Sequence, residues 1–159
     1  MINHISENTV SPNIFFRVDA GPHHGLGHFS RCYNLAKIFV LKYNLKCFFI
    51  CTKNSKKFFL NKKYNFIKFI YIQSTGFDLD EITFLKKKIK LQKKQILIVD
   101  SKNNIKNYLN KAKKYFFLIC LDDQKYRNLN CDILINSHIY AKKKYYKNIN
   151  NRIELIGTK

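Results

Sequence analysis

Short runs of apolar residues recur along the chain and alternate with longer segments in which apolar residues are spaced as in a helix. The apolar runs predict strands at 14–19, 46–52, 67–72, 95–100, 115–121, 132–135 and 153–156. The segments between them predict helices at 28–42, 55–62, 80–93 and 103–114. Short apolar runs are typical of strands, whereas apolar residues at every third or fourth position are typical of amphipathic helices.

The predicted helix at 28–42 shows the helical spacing most clearly. Its apolar stripe consists of Phe29, Cys32, Tyr33, Ala36, Phe39 and Val40. In the helix at 80–93, Ile82, Leu85 and Ile89 fall on one side and the lysines form a solvated face. The strand at 95–100 is apolar without alternation, which is typical of burial on both faces. These features predict an α/β fold with a Rossmann-like parallel sheet and helices on both faces.

One domain, spanning 14–159, accommodates all of these elements. Residues 1–13 predict a poorly ordered leader, and they lack the basic start and apolar block of a secretion signal. No apolar run approaches the roughly 18 residues that a membrane span needs. We therefore expect a cytoplasmic protein without a membrane partner.

The charge is strongly basic, with 30 basic and 10 acidic residues and a formal net charge of +20. Only 4 of the basic residues are arginines, and the other 26 are lysines. Specific nucleic-acid recognition relies on bidentate arginine contacts, whereas a mixture rich in Lys, Asn and Ile also follows from A/T-rich codons. We expect weak, non-specific polyanion binding and no specific nucleic-acid partner.

Five cysteines are present, an odd number, and no two of them form a Cys-x-x-Cys pair. Cys47 and Cys51 fall on one face of a predicted strand, and Cys120 lies inside another. Buried free thiols in a reducing compartment account for these positions, so we expect no metal site.

Polar residues lie at the ends of four of the predicted strands: Asp19, Asp100, the pair Asp122 and Asp123, and Asn136. For any single aspartate, capping a helix or starting a turn is the stronger explanation. Parallel strands, however, place their carboxyl ends at one edge, where ligands bind in open α/β sheets. Four strands that end in this way therefore predict a site at that edge.

The loop between the first strand and the first long helix contains three of the five glycines. Gly25 and Gly27 would let backbone amides approach a ligand closely, and the helix N-terminus favours an anion. His28 begins the helix, and Arg31 lies one turn later on the same face. The positive end of the helix dipole opposes imidazolium and favours neutral His28, which is the form that a general base needs.

Familiar motifs fit this loop poorly. Residues 25–30 match two of the three glycines of a dinucleotide fingerprint, and the second strand ends without an acid to hold a ribose. A metal held by His23, His24 and His28 is a weaker alternative. We therefore expect neither NAD nor any other cofactor.

The same loop resembles a known family. Residues 16–19, Phe-Arg-Val-Asp, and 25–31, Gly-Leu-Gly-His-Phe-Ser-Arg, resemble the opening of the UDP-2,4-diacetamido-2,4,6-trideoxy-β-L-altropyranose hydrolases of pseudaminic acid biosynthesis. Further segments of similarity follow in order at 96–101, 121–123, 131–136, 140–142 and 156–159. The resemblance therefore extends over about residues 14–159.

This resemblance implies the N-terminal half of a GT-B fold, with UDP held mainly by a C-terminal domain. It also implies metal-independent hydrolysis of a UDP-sugar, in which His28 acts as the base on water. The substrate-binding residues would be Asp19, Gly25, Gly27, Arg31 and Asp100. The family usually has a tyrosine soon after the aspartate of the fourth strand, and Lys102 stands there in this chain.

The chain ends where the second domain of that family should begin, which predicts a fragment, a split protein or a decayed gene product. Its partner would then be a missing or separate UDP-binding domain. Two alternatives remain open at this point. One is the acceptor domain of a GT-B glycosyltransferase, and the other is an inactive remnant or basic binding module.

Overall fold

A computed structural model describes residues 12–21, 25–59, 64–73, 77–89, 95–103, 105–124, 129–146 and 153–157. These residues form seven strands: β1 (Ile14–Arg17), β2 (Cys47–Thr52), β3 (Lys68–Ile72), β4 (Gln95–Asp100), β5 (Phe116–Leu121), β6 (Ile133–Asn136) and β7 (Ile153–Ile156). They also form three α-helices: α1 (Gly27–Tyr43), α2 (Leu79–Ile89) and α3 (Lys106–Ala112). Two short 3-10 helices span Lys53–Phe58 and Lys143–Tyr146.

All seven strands belong to one parallel sheet in the order β3-β2-β1-β4-β5-β6-β7. The predicted Rossmann-like α/β architecture is confirmed. Strands are added in one direction from β1 to β3 and in the other direction from β4 onward. The switch point therefore lies between β1 and β4, and the crevice outside their carboxyl ends is where such sheets bind ligands.

Helices cover both faces of the sheet. On one face, α1 packs Phe29, Cys32 and Ala36 against β1 and β2. On the other face, α2 and α3 bury apolar side chains that include Ile82 and Leu109. This division follows from the right-handed crossover rule, because α1 links strands in one direction and α2 and α3 link them in the other.

The predicted apolar pattern is confirmed in α1 and β4. Phe29, Cys32 and Ala36 are buried in α1, and the other members of its predicted stripe pack partly buried against the same cluster. Leu97 and Ile98, neighbours in β4, face opposite clusters, which is the predicted burial on both faces.

Five strands, β1, β2, β3, β5 and β6, have bounds that differ by one or two residues from those predicted. At the end of β1, an aspartate side chain replaces backbone pairing. After β1, the carboxylate of Asp19 accepts the backbone N–H of Thr52 at 2.7 Å, which ends the ladder with β2. Before β6, the carboxylate of Asp132 accepts the backbone N–H of Leu118 at 2.8 Å. The backbone N–H of Asp132 also donates to the carbonyl of Leu118 at 2.9 Å, and β6 begins and ends one residue later than predicted, at Ile133 and Asn136.

The helix predicted at 103–114 is shorter in the structure, at Lys106–Ala112. The hydroxyl of Ser101 accepts the backbone N–H of Asn103 at 3.1 Å and forms a turn ahead of it. The segment predicted as a helix at 55–62 begins with a 3-10 helix, and residues 60–63 lie outside the described residues. Most of the leader and the end of the helix predicted at 80–93 also lie outside them.

All five cysteines are buried, and Cys47 and Cys51 lie in the cluster under α1. Burial raises the pKa of the Cys47 thiol to about 11. Among the described residues, no group of three or more His, Cys, Asp or Glu side chains could hold a metal ion. In the same part of the chain, no helix has the length and apolar character to cross a membrane.

Candidate active site at the carboxyl edge of the sheet

The switch point between β1 and β4 contains a small cavity. Its volume is about 30 Å³, which leaves room for a water molecule. Asp19, His28, Phe77 and residues 100–103 line it. The second residue of α1 thus meets the last residue of β4 across the crevice. The sequence-predicted residues Asp19, His28 and Asp100 therefore share one site.

The ring of His28 is held by the side chain of Asp100. His28 Nδ1 lies 2.6 Å from Asp100 Oδ1, and the aspartate side chain is fully buried. The histidine side chain is 9% exposed, so only an edge of the ring reaches solvent through the crevice. Seventy-two residues of chain separate the two partners, so only the fold can bring them together.

Arg31 also binds Asp100, with both arms of its guanidinium. Arg31 Nε donates to Oδ2 at 2.8 Å and Nη2 donates to Oδ1 at 2.6 Å. Such bidentate pairs are strong and directional. Burial alone would raise the pKa of Asp100, but hydrogen bonds from His28 and Arg31 and the Arg31 charge outweigh it and lower that pKa. Asp100 is therefore a buried carboxylate that stays ionised.

Both carboxylate oxygens of Asp19 accept hydrogen bonds from neighbouring residues of the fold. Arg17 Nη1 donates to Oδ2 at 2.7 Å, while Oδ1 accepts the backbone N–H of Thr52 and the hydroxyl of Ser55 at 3.2 Å. Burial opposes its ionisation, yet the Arg17 charge and the Thr52 hydrogen bond lower the pKa of Asp19. Asp19 thus joins the ends of β1 and β2 while lining the cavity.

Behind the cavity lies a buried ion cluster that the sequence analysis did not identify. Arg17 Nε donates to Glu81 Oε1 at 2.8 Å, and the Tyr108 hydroxyl donates to the same oxygen at 2.7 Å. The ring of Phe77 covers the guanidinium at 4.2 Å. The sequence contains one signal for this cluster: Arg17 stands inside an otherwise apolar strand, and a buried guanidinium requires an acidic partner.

Gly25 and Gly27, the two glycines predicted to approach a ligand, come shortly before His28 in the chain. Gly25 has a φ of +70°, which favours glycine, and its N–H donates to the carbonyl of Gly21 at 2.7 Å. Gly27 is the first residue of α1. Among the described residues, neither glycine has an atom within 4 Å of the position that a Cβ would take. His23 and His24 lie outside the described residues.

The polar residues after β5 and β6 divide into two groups. Asp123 Oδ2 lies 3.8 Å from Arg31 Nη2, so Asp123 borders the His28 site. Asp122 and Asn136 instead bind the hydroxyl of Tyr146, each at 2.6 Å, in a separate buried network. The predicted common edge therefore holds one cluster around His28 and a second one that joins β5 to β6.

Comparisons of the chain with protein-family models and with curated proteins found no match. Chemically, the site combines a histidine at a water-sized cavity with a buried, ionised carboxylate behind its ring. A residue pair of this kind can accept a proton from water.

Proposed function

We propose that this chain is the N-terminal domain of a nucleotide-sugar hydrolase that releases UDP from UDP-2,4-diacetamido-2,4,6-trideoxy-β-L-altropyranose. One observation carries the proposal: His28 borders a cavity with room for water, and its ring is anchored to the buried carboxylate of Asp100. The sequence resemblance, which places a catalytic base at this histidine, supplies the substrate class.

The proposed chemistry requires a base because water is a poor nucleophile. His28 takes a proton from water as the water oxygen bonds to the anomeric carbon. The bond between that carbon and the UDP oxygen breaks at the same time, and UDP leaves with the electron pair. General-base assistance of this kind contributes about 10²–10⁴-fold in rate.

The surroundings of the cavity suit a sugar nucleotide. Lys102 is an exposed cation at the rim, and no atom of the described residues lies within 4 Å of the Cβ position of Gly25 or Gly27. A partner domain across the crevice would hold the UDP and direct the anomeric carbon toward His28. We therefore propose a C-terminal UDP-binding domain as the partner of this chain.

The test compares wild type with His28→Ala after the chain is completed by the UDP-binding domain of a family hydrolase, fused or added in trans. We expect His28→Ala to lose about 10²–10⁴-fold in UDP release, because the base is removed. Binding of UDP, measured by calorimetry, should largely survive, because the partner domain supplies it.

Two controls accompany this experiment. The 159-residue chain alone should neither bind UDP tightly nor turn over, because a base cannot act on a substrate that is not held in place. Free sugar should appear without any acceptor present, which distinguishes a hydrolase from a glycosyltransferase half. Unchanged activity in His28→Ala, or rapid turnover by the chain alone, would contradict the proposal.

A further inference from the structure

The two polar neighbours of His28 Nδ1 require opposite protonation states of that atom. Asp100 Oδ1, at 2.6 Å, is an acceptor and requires a proton on Nδ1. Arg31 Nη2, at 3.2 Å, is a donor and would require a lone pair there. Only one of these contacts can be a hydrogen bond of neutral His28.

The geometry favours the contact with Asp100. A lone pair on Nδ1 would face a carboxylate oxygen at 2.6 Å, which is repulsive, whereas an N–H at that distance makes a short charge-assisted bond. Arg31 Nη2 already donates to Asp100 Oδ1 at 2.6 Å. The 3.2 Å distance between Arg31 Nη2 and His28 Nδ1 then arises because both groups bind the same oxygen of Asp100, and it is not a hydrogen bond.

We propose that Asp100 is a positioning residue, which holds His28 as the Nδ1–H tautomer and leaves the Nε2 lone pair for the cavity, and that Arg31 orients the Asp100 carboxylate. This differs from the substrate-binding role that the sequence predicts for both residues. The inference deepens the proposed function and rests on it for its catalytic meaning, although the tautomer itself can be measured without any substrate.

The occupancy of Asp100 supports this assignment. Its two carboxylate oxygens accept two N–H groups from Arg31, Oδ1 also contacts His28 Nδ1, and the thiol of Cys32 lies 3.7 Å from Oδ2. The carboxylate is fully buried and faces these groups. It therefore has no exposed oxygen to offer a sugar hydroxyl.

The role of Arg31 follows from the same contacts. Its guanidinium binds both oxygens of Asp100 and so fixes the orientation of the carboxylate, with Oδ1 toward the ring of His28. The other charged groups around the ring are Asp19 and Lys102, which line the cavity, and Asp123, which approaches Arg31. None of these three makes a hydrogen bond to His28 that would compete for Nδ1 among the contacts of the described residues.

The test is a long-range ¹H–¹⁵N spectrum of the 159-residue chain at alkaline pH, where imidazole is neutral. The cross-peak pattern of a histidine ring distinguishes the two tautomers directly, and His28→Gln identifies the His28 signals. We expect the Nδ1–H pattern for His28. His138 is an internal control, because its Nδ1 accepts the backbone N–H of Tyr140 at 3.4 Å and it should show the Nε2–H pattern. An Nε2–H pattern for His28 would overturn the proposal.

Two variants separate the roles of the positioning residues. Asp100→Asn can offer an N–H to Nδ1, so we expect the Nε2–H tautomer of His28 to become the major form. Arg31→Leu disturbs the same network but keeps the carboxylate, so the Nδ1–H form should persist. A changed tautomer in Arg31→Leu would show that Asp100 does not determine it. If Asp100→Asn does not fold, the wild-type spectrum still decides.

Kinetics of the completed hydrolase distinguish positioning from substrate binding. If Asp100 is a positioning residue, the substitution Asp100→Asn should lower kcat by about 10²–10⁴-fold and change KM little. A substrate ligand would instead raise KM at nearly constant kcat, and that result would overturn the assignment. If wild type hydrolyses no UDP-sugar, the proposed function fails, whereas the tautomer measurement still stands on its own.

Discussion

At the scale of single residues, Arg17 is the least expected feature of the molecule. It is fully buried in β1, and it pairs with Asp19 on one side and Glu81 on the other. Within the part of the chain that the structure describes, its Nη2 and the Oε2 of Glu81 are buried atoms without a hydrogen-bond partner. Burial raises the pKa of Glu81 more than Arg17 and Tyr108 lower it. Arg17 is therefore the cation that stabilises the ionised forms of both Asp19 and Glu81.

Substitutions in this cluster should have unequal costs. Arg17→Met leaves two buried carboxylates without their cation, so we expect a loss of about 3–5 kcal/mol in the free energy of unfolding. Glu81→Gln keeps an oxygen that can accept from Arg17 and Tyr108, so its loss should be about 1 kcal/mol. Urea unfolding of both variants, followed by circular dichroism, checks this order. Equal losses would mean that Arg17 does not stabilise the two acids jointly.

At the scale of elements, side-chain contacts join the ends of strands and helices that backbone bonds do not connect. Asp100 ties the end of β4 to the first turn of α1 through His28 and Arg31. Asp19 ties the end of β1 to the end of β2. Both carboxylates have lowered pKa values in the folded protein, because cations and N–H donors outweigh the effect of burial.

These two aspartates should make the fold acid-sensitive. An acid with a lowered folded pKa stabilises the native state above its unfolded pKa of about 3.9, and this contribution is lost as the pH falls through the folded pKa. Glu81 has the opposite sign because its folded pKa is raised, and its contribution is constant below about pH 4. We therefore expect the free energy of unfolding to fall steeply below about pH 4.

Urea titrations at a series of pH values measure this dependence, and Asp100→Asn is the matched control. The variant starts with a lower stability at neutral pH, and it should lose less than wild type on acidification, because one of the two titrating carboxylates is gone. Identical slopes in the two proteins would exclude Asp100 as a source of the acid sensitivity.

At the scale of the whole molecule, the main feature is the net charge of +20. The described lysines of α2, which are Lys86, Lys87 and Lys88, are exposed and confirm the predicted solvated face. Two of the four arginines, Arg17 and Arg31, are engaged by carboxylates and do not form an exposed pair. The positive charge is thus carried by lysines, which attract polyanions without reading a sequence.

Binding to nucleic acid should therefore be weak and strongly dependent on salt. We expect two unrelated DNA duplexes of equal length to be retained equally in a filter-binding assay at low salt. Between 50 and 200 mM salt, retention should fall by at least about tenfold, because displaced counterions drive the association. Tight retention of one duplex at near-physiological salt would contradict this expectation.

Much of the fold follows from local patterns in the sequence. The apolar runs predict β4 and β7 with their observed bounds, and the stripe in α1 predicts the side that it buries. Alternating strands and helices together with the right-handed crossover rule then lead to a parallel sheet covered on both faces. The loop before α1 indicates that His28 and Arg31 share one helix face, because they are one turn apart.

Only the tertiary structure decided which side chains meet at the carboxyl edge of the sheet. Asp100 is 72 residues from His28 in sequence, and no local pattern shows that its oxygens bind the imidazole and the guanidinium instead of a ligand. The same holds for Glu81, which is 64 residues from Arg17, and for Tyr146 between β5 and β6. Sequence periodicity determines which face of an element is buried, since that depends on neighbours three or four residues away. The order of strands in the sheet determines which polar ends become partners, and it is settled only when the whole chain packs.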